Sequence, residues 1–279
     1  MSAIEVDLRL GSPHWSRVKT SADTVIDSNG LWVRADHDCS GPTDPEVLAS
    51  HPGRLAAIRI DGDEVVLAQD RLRSWPLFWS LEDGLSGAQR LVVSDDATLM
   101  REAVSAPRLD ARARREFLDA GFVTGSDTLL AGIHQTEQGT VVRIDRATGR
   151  ARTINHSVAR FCEETDTVVD PEDFSGLLCE ALDAVLGRVL AEIDRRPGAP
   201  RLVVPLSGGL DSRLLVAWLT LHDALDRTVA FTYGRPGARE VEISRKVAQA
   251  VGLEWHAVDY DPAALREAWQ TQEAADFLK

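Results

Sequence analysis

The pattern of apolar and polar positions changes character about 160 residues into the chain. Before that point, short apolar runs separated by turn residues predict strands, whereas strands alternate with amphipathic helices afterwards. This change predicts an α/β protein of two domains, at residues 1–160 and 161–279.

The first domain is predicted to be β-rich. Two apolar runs, at 54–60 and 63–69, flank Asp61-Gly62, a dipeptide typical of type I′ hairpin turns. Further strands are expected at 76–81, 90–94, 140–145 and 150–154, and helices at 96–104 and 111–120. Asp96 and Asp110 stand where helix N-caps are expected, so we interpret Asp95-Asp96 as a cap rather than a metal pair. Trp75, Phe78 and Trp79 are expected to be core residues, and Asn29-Gly30 a turn.

The second domain is predicted to begin with a long amphipathic helix. Pro171 suits its first turn, and apolar residues recur three and four positions apart as far as Ile193. Three strand-to-helix units follow, with strands at 201–206, 228–233 and 254–259 and helices at 212–221, 240–251 and from Pro262 onward. This alternation predicts part of a doubly wound parallel sheet.

Composition narrows the classes of partner. The chain has 31 basic and 44 acidic residues, a net charge of −13, which disfavours nucleic acid as a partner. The absence of a long apolar run excludes a membrane-spanning helix, and the N-terminus lacks the pattern of a secretory signal. Cys39, Cys162 and Cys179 form neither a disulfide framework nor a zinc pattern. We therefore expect a cytoplasmic protein with neither a membrane nor nucleic acid among its partners.

One segment, between the first strand and helix of the second domain, carries the chemistry. Two glycines allow a sharp turn and a close approach to an anion, and the following helix directs free N–H groups towards the same point. The neighbouring serines add hydroxyl donors, and an aspartate here makes sense if it binds a Mg²⁺ that the phosphates share. The segment therefore predicts a magnesium–pyrophosphate loop, formed by Ser207, Gly208, Gly209, Leu210, Asp211 and Ser212.

Two commoner phosphate-binding patterns are excluded. The segment has no Gly-Lys-Ser/Thr, and the chain has no lysine between Lys19 and Lys246. The dinucleotide pattern G-x-G-x-x-G is also absent from it. An ordinary glycine-rich turn between a strand and a helix is the structural alternative.

The segment resembles the pyrophosphate loop of the ATP-pyrophosphatase superfamily, and its neighbours resemble the glutamine-hydrolysing asparagine synthetase family. Thr228–Gly234 is similar to the family's second strand, and Glu240–Gly252 with Trp255-His256 to its next helix and strand start. Upstream, 69–78 resembles the Asp-Arg-x-Gly-x-x-Pro-Leu segment that closes the amidotransferase domain, and 121–133 resembles the linker that follows.

The resemblance implies an ATP-dependent ligase. In that family a carboxylate is adenylated, pyrophosphate leaves, and an amine attacks the acyl-adenylate to give an amide. Carried over to this chain, the loop residues would bind ATP and pyrophosphate, with Asp211 on the magnesium. Leu206, Tyr233 and Gly234 would flank the adenosine. The substrate would be aspartate or a related acid together with ammonia or an amine, and no catalytic residue is assigned.

Two departures from the family qualify this expectation. Ser2 stands where the family's glutaminase has its cysteine nucleophile, no Asn-Gly-Glu glutamine pocket is found, and Arg73 replaces the glycine of the Asp70-Arg71 segment. We therefore expect an amidotransferase-like domain that has lost glutaminase activity. The family's second loop, Ser-Gly-x-Gly-x-Asp-Glu, and its later lysine are also missing, which predicts a truncated synthetase domain.

Other functions stay open. One alternative is a non-catalytic nucleotide-binding remnant. Another is a subunit that needs a partner for the missing half, either a second copy of itself in a homodimer or a complementing polypeptide. A sulfur-transferring or tRNA-modifying enzyme with the same loop is disfavoured by the acidic charge and the lack of paired cysteines. His256 is interpreted as a packed or surface histidine rather than a base.

Overall fold

The computed structural model describes residues 4–13, 15–18, 30–35, 53–83, 89–157, 170–195, 198 and 200–277. The chain divides into two compact units, Met1–Val168 and Val169–Lys279. Helices occur together with three sheets, one of them wholly parallel, which confirms the predicted α/β class. The amidotransferase-like and synthetase-like identities of the two domains stay predictions.

The first unit contains a four-stranded sheet, ordered β1-β7-β6-β8, and a six-stranded sheet, ordered β10-β9-β5-β4-β3-β2. Its elements are β1 (Glu5–Arg9), β2 (Ser16–Val18), β3 (Gly30–Ala35), β4 (Leu55–Ile60), β5 (Glu64–Gln69), β6 (Phe78–Asp83), β7 (Gln89–Ser94), α1 (Ala97–Ala103), α2 (Ala111–Ala120), β8 (His134–Gln135), β9 (Thr140–Asp145) and β10 (Ala151–Asn155).

An apolar core joins the two sheets of this unit. Ile58 and Leu67, from the six-stranded sheet, share one cluster with Leu91 and Val93 of the four-stranded sheet. Trp75 and Trp79 pack against this cluster, whereas Phe78 packs on a second one beside α1, so the predicted core role of all three is confirmed. Burial of such apolar side chains is the main term that holds two sheets together.

Two local predictions for this unit are corrected. Gly62 does not have a positive φ, so the Asp61-Gly62 turn is not type I′. The turn has three residues instead, and the Asp61 carboxylate accepts the amides of Asp63 and Glu64 at 3.0 and 2.9 Å. Gly30 begins strand β3 rather than completing a turn, and Asn29 lies outside the described residues.

The second unit consists of helices around a three-stranded parallel sheet, ordered β11-β12-β13. Its elements are α3 (Pro171–Asp194), β11 (Leu202–Pro205), α4 (Leu210–Leu221), β12 (Thr228–Gly234), α5 (Arg239–Val251), β13 (Glu254–Asp259), α6 (Pro262–Ala268) and α7 (Gln272–Phe277). The predicted order of three strands and their helices is therefore confirmed.

Only one face of this sheet is well covered. Val204, Leu206 and Ala230 point into a core that also contains side chains of α3, α4 and α5. On the opposite face Val203 is 62% exposed and Val258 50% exposed. The stripe of apolar residues on α3 is likewise only partly buried: Leu186 and Leu190 join the core, whereas other members stay exposed, including Phe174, Leu177, Leu178, Val185 and Val189.

The described residues contain neither a candidate membrane-spanning helix nor a disulfide-bonded cysteine. None of their helices is both long enough and apolar enough to cross a bilayer. Cys179 is a free, exposed thiol on α3, and Cys39 and Cys162 lie outside the described residues.

Candidate functional site

The predicted phosphate loop connects the carboxyl end of β11 to the start of α4. Leu206 follows the strand, and the helix begins at Leu210 rather than at the predicted Ser212. Asp211 and Ser212 therefore lie within the first helical turn. In parallel sheets this edge is where ligands bind, because the strands end there and the helices begin.

A network of hydroxyl groups fixes the path of the loop. The Ser207 and Ser212 hydroxyls lie 3.0 Å apart, and Ser212 Oγ accepts the Ser207 amide at 3.1 Å. Ser207 Oγ in turn accepts the Gly209 amide at 3.2 Å. The hydrogen bonds between the two serines thus join the two ends of the loop and place both hydroxyls at the start of α4.

The amino end of α4 has no side-chain cap. Its N-cap residue, Gly209, carries no side chain, and Leu210 beside it is 75% exposed. Among the described residues, no acceptor is found for the amides of Gly208, Leu210 and Asp211. A helix presents unpaired N–H groups and a partial positive charge at this end, so the site is suited to an anion.

Gly208 and Gly209 have different roles. A Cβ atom on Gly208 would lie 3.3 Å from Cα of Glu240 and 3.4 Å from Cδ1 of Ile243, so this glycine lets α5 approach the loop. A Cβ on Gly209 would meet only the Ser207 hydroxyl, at 3.2 Å. Gly208 therefore allows close packing, whereas the space beside Gly209 is bounded only by the Ser207 hydroxyl.

Asp211 is the only loop residue with a carboxylate. It is exposed in the first turn of α4, and no described cation forms an ion pair with it. No group of three or more His, Cys, Asp or Glu in the described part of the chain could hold a metal by itself. Mg²⁺ commonly takes one or two carboxylates plus phosphate oxygens and water, so a single exposed carboxylate fits a metal that arrives with a nucleotide.

The structure distinguishes the three residues expected to flank adenosine. The Leu206 side chain is 1% exposed, and its main-chain groups bond to Phe231 and Thr232. Gly234, which is half-buried, accepts the Tyr260 amide through its carbonyl at 2.8 Å. Tyr233 is 56% exposed and stacks on Tyr260 with ring centroids 5.6 Å apart. Of the three, only Tyr233 has an exposed side chain.

Sequence reasoning missed Arg213, which follows the motif directly. Its Nε donates to the Gly209 carbonyl at 3.0 Å, so the guanidinium lies beside the loop. At α1, α2, α5 and α6 the carbonyl of the N-cap residue accepts the main-chain amide of the residue four positions later. At α4, among the hydrogen bonds of the described residues, the N-cap carbonyl of Gly209 accepts the side-chain Nε of Arg213 instead. A signal was present in the sequence, since residues four apart on a helix are neighbours.

Two other candidates behave as expected from the sequence. His256 is exposed, and its Nε2 lies 3.0 Å from Glu254 Oε1. This bond and a second one from Arg201 lower the pKa of Glu254, in that order. Asp96 accepts the amides of Thr98 and Leu99 and so caps α1, which confirms the interpretation as a cap.

The Asp70-Arg71 segment of the first unit forms a tight turn around the buried Asp70 side chain. The Asp70 carboxylate accepts the amides of Leu55 and Leu72 at 2.8 and 2.7 Å. Arg73 has φ +55°, the left-handed conformation that glycine adopts most easily, at the position where the asparagine synthetase pattern has glycine. Its half-buried guanidinium donates to Gln135 at 2.6 Å, and burial lowers its pKa. The turn therefore adopts the left-handed conformation at Arg73, although glycine would adopt it more easily.

Ser2, the position of the family's nucleophile, lies outside the described residues.

Comparison with known proteins concerns the second unit. Residues 201–276 match the family described as queuosine biosynthesis protein QueC. A 7-cyano-7-deazaguanine synthase of Bacteroides fragilis is 39% identical over 57 residues, which are 20% of this chain and 26% of that protein. The corresponding synthase of Acinetobacter baylyi is 35% identical over 66 residues, 24% of this chain and 28% of that protein.

The chain thus spans about a quarter of the length of these curated relatives. The matched segment includes β11, the loop, α4, β12, α5 and β13. It does not single out the asparagine synthetase family. The matches place residues 201–276 in the ATP-pyrophosphatase superfamily.

Proposed function

We propose that the chain binds Mg·ATP at the loop 207–212 and adenylates a carboxylate, as the first step of an amide-forming ligase of the asparagine synthase type. The uncapped amino end of α4, joined to the serine network, is the observation that carries this proposal. The acyl substrate is aspartate or a related acid, and ammonia or an amine is the nucleophile.

The reaction is a transfer of an adenylyl group. A carboxylate oxygen attacks the α-phosphorus of ATP, the bond from that phosphorus to the bridging oxygen breaks, and pyrophosphate leaves. The amine then attacks the acyl carbon, AMP departs, and the proton released from nitrogen passes to solvent or to a base.

The loop would act on the leaving group. Charge increases on the pyrophosphate as the bond breaks, and the free amides of Gly208, Leu210 and Asp211 are donors already oriented for that charge. The hydroxyls of Ser207 and Ser212 add two donors that need only rotate. Asp211 would bind the Mg²⁺, which when bound offsets the negative charge of the phosphates.

A second candidate is a nucleotide-binding subunit that is inactive without a partner. The exposed face of the three-stranded sheet favours it, because Val203 and Val258 are at least half exposed there. Under this alternative the loop still binds nucleotide, but the chain alone transfers no adenylyl group.

Exchange of labelled pyrophosphate into ATP tests the proposal. The assay is run with aspartate, with related amino and sugar acids, and with a deazaguanine carboxylic acid, because the relatives' product is a cyano-deazaguanine. Exchange that depends on one acid, and that is lost in Asp211→Ala, supports the ligase and names its substrate class. Binding of Mg·ATP without exchange favours the subunit, and no binding contradicts both. Asp226→Ala, at an exposed aspartate of the short 3₁₀ helix Leu225–Arg227, is the control.

A further inference from the structure

We infer that Arg213 binds the β- and γ-phosphates of the nucleotide and thereby makes the loop select triphosphate and pyrophosphate over AMP. This inference rests on the proposed function of the loop. It adds a cation to a site for which the sequence indicated only amides, hydroxyls and a carboxylate.

The guanidinium of Arg213 lies beside the loop. Arg213 lies in the second turn of α4, and its Nε bond to the Gly209 carbonyl turns the side chain back towards the loop. Among the described residues, no other hydrogen bond and no ion pair involves its side chain. Its two terminal nitrogens are therefore available, in the planar arrangement that binds two phosphate oxygens at once.

The charges at the start of α4 differ from those at the start of α6. The amino end of a helix carries partial positive charge, so a cation held there is repelled unless an anion lies nearby. At α6, Asp261 supplies such a charge, and Arg266 makes the same kind of bond to Pro262 at 3.0 Å. At α4 the N-cap is Gly209, and Asp211 is the only acidic residue in the first turn. A bound triphosphate would add negative charge beside the arginine and the helix start, where Asp211 alone supplies it in the first turn.

The phosphate loop of the Gly-Lys-Ser/Thr type uses a lysine to bind phosphate. The chain has no lysine between Lys19 and Lys246, so no lysine lies within the loop or beside it in sequence. Arg213 is the basic side chain that the structure brings to the loop through a hydrogen bond. A guanidinium differs from an ammonium in presenting a fork of donors, which suits the terminal phosphates.

Calorimetric titration of the full chain with Mg·ATP, Mg·pyrophosphate and AMP tests the inference. Arg213→Gln should weaken the affinity for ATP and pyrophosphate about tenfold, as expected when a charge-assisted bond is lost, with little change for AMP. Arg213→Lys should restore part of that loss. Arg266→Gln removes the same type of helical bond at α6 and should leave all three affinities unchanged.

The outcomes separate the inference from the proposed function. If the wild-type chain binds neither ATP nor pyrophosphate, the proposed function fails, and the inference fails with it. If the wild type binds both and Arg213→Gln binds them within twofold, the inference alone is overturned. Equal losses for ATP and AMP, or loss of the folded circular-dichroism spectrum in both Arg213 variants, would assign Arg213 a structural role and also overturn it.

Discussion

Two helices of the second unit begin in different ways. At α6 the Asp261 carboxylate accepts the amides of Ala263 and Ala264, at 3.1 and 3.3 Å. At α4 the corresponding residue is Gly209, which has no side chain to offer. A capping carboxylate occupies the same N–H groups that a phosphate would need. The comparison teaches that α6 completes its own helix start, whereas the amides at the start of α4 have no side-chain acceptor, as the proposed phosphate site requires.

The largest effect is expected from giving α4 the cap of α6. In Gly209→Asp the new carboxylate would accept the amides of Asp211 or Ser212 and repel phosphate. The affinity for Mg·ATP should fall about a hundredfold, roughly 2.7 kcal/mol, while the free energy of unfolding changes by only a few tenths of a kcal/mol. Calorimetric titration and urea unfolding measure the two quantities. Affinity equal to that of the wild type would contradict the assignment of these amides to phosphate.

The two loop glycines should differ in what alanine does to stability. Gly208→Ala places a Cβ 3.3 Å from the main chain of Glu240, and overpacking of this kind costs about 1–2 kcal/mol. Gly209→Ala meets only a hydroxyl that can rotate, so the free energy of unfolding should change less. Urea denaturation of the two variants checks the difference. Equal stability would show that α5 does not pack on Gly208.

Removing the cap of α6 should affect stability but not the nucleotide. Asp261→Ala leaves the amides of Ala263 and Ala264 without their carboxylate and should cost about 1 kcal/mol. The affinity for Mg·ATP should not change, because these amides belong to another helix. Thermal unfolding and calorimetric titration with Mg·ATP provide the test. A loss of ATP affinity in Asp261→Ala would contradict the claim that only the start of α4 takes part in nucleotide binding.

The smallest effect concerns pH and the exposed Asp183 on α3. Hydrogen bonds from Trp218 Nε1, at 2.7 Å, and then from His222 lower the pKa of Asp183. Because the folded pKa lies below the unfolded one, this stabilisation is present above the ordinary aspartate pKa of about 4 and is lost as the pH falls through the folded value. The free energy of unfolding should therefore fall less steeply with decreasing pH in Asp183→Asn than in the wild type. The free energy of unfolding of both proteins is measured from pH 6 to pH 2.5. The same pH dependence in the wild type and the variant would contradict the prediction.

Much of the second unit follows from local pattern. The order of β11, α4, β12, α5 and β13 was predicted from alternating apolar runs, which encode strands and helices directly. Strand β1 was missed because its pairing with β7 joins residues more than 80 positions apart. The partial exposure of the α3 stripe was also missed, since periodicity indicates an apolar face but not whether something covers it.

The candidate site was predicted in part. The motif predicted a loop between β11 and α4, where the structure places it, and its role in binding phosphate stays a prediction. The sequence did not reveal that Gly208 accommodates Glu240, because that contact depends on tertiary packing. The four-residue spacing of Gly209 and Arg213 was visible, but it does not give the direction of the arginine side chain. The sequence analysis favoured the asparagine synthetase family, whereas the comparisons support the ATP-pyrophosphatase superfamily and not that family specifically.

The most direct test of the account observes the loop amides themselves. Titration of the ¹⁵N-labelled chain with Mg·pyrophosphate should shift the amide resonances of Gly208, Leu210 and Asp211, because they donate to the anion. The amides of Ala263 and Ala264 should stay unchanged, because Asp261 already accepts them. Unmoved loop resonances at saturating pyrophosphate, or equal shifts at both helix starts, would contradict the claim that the start of α4 is a phosphate site.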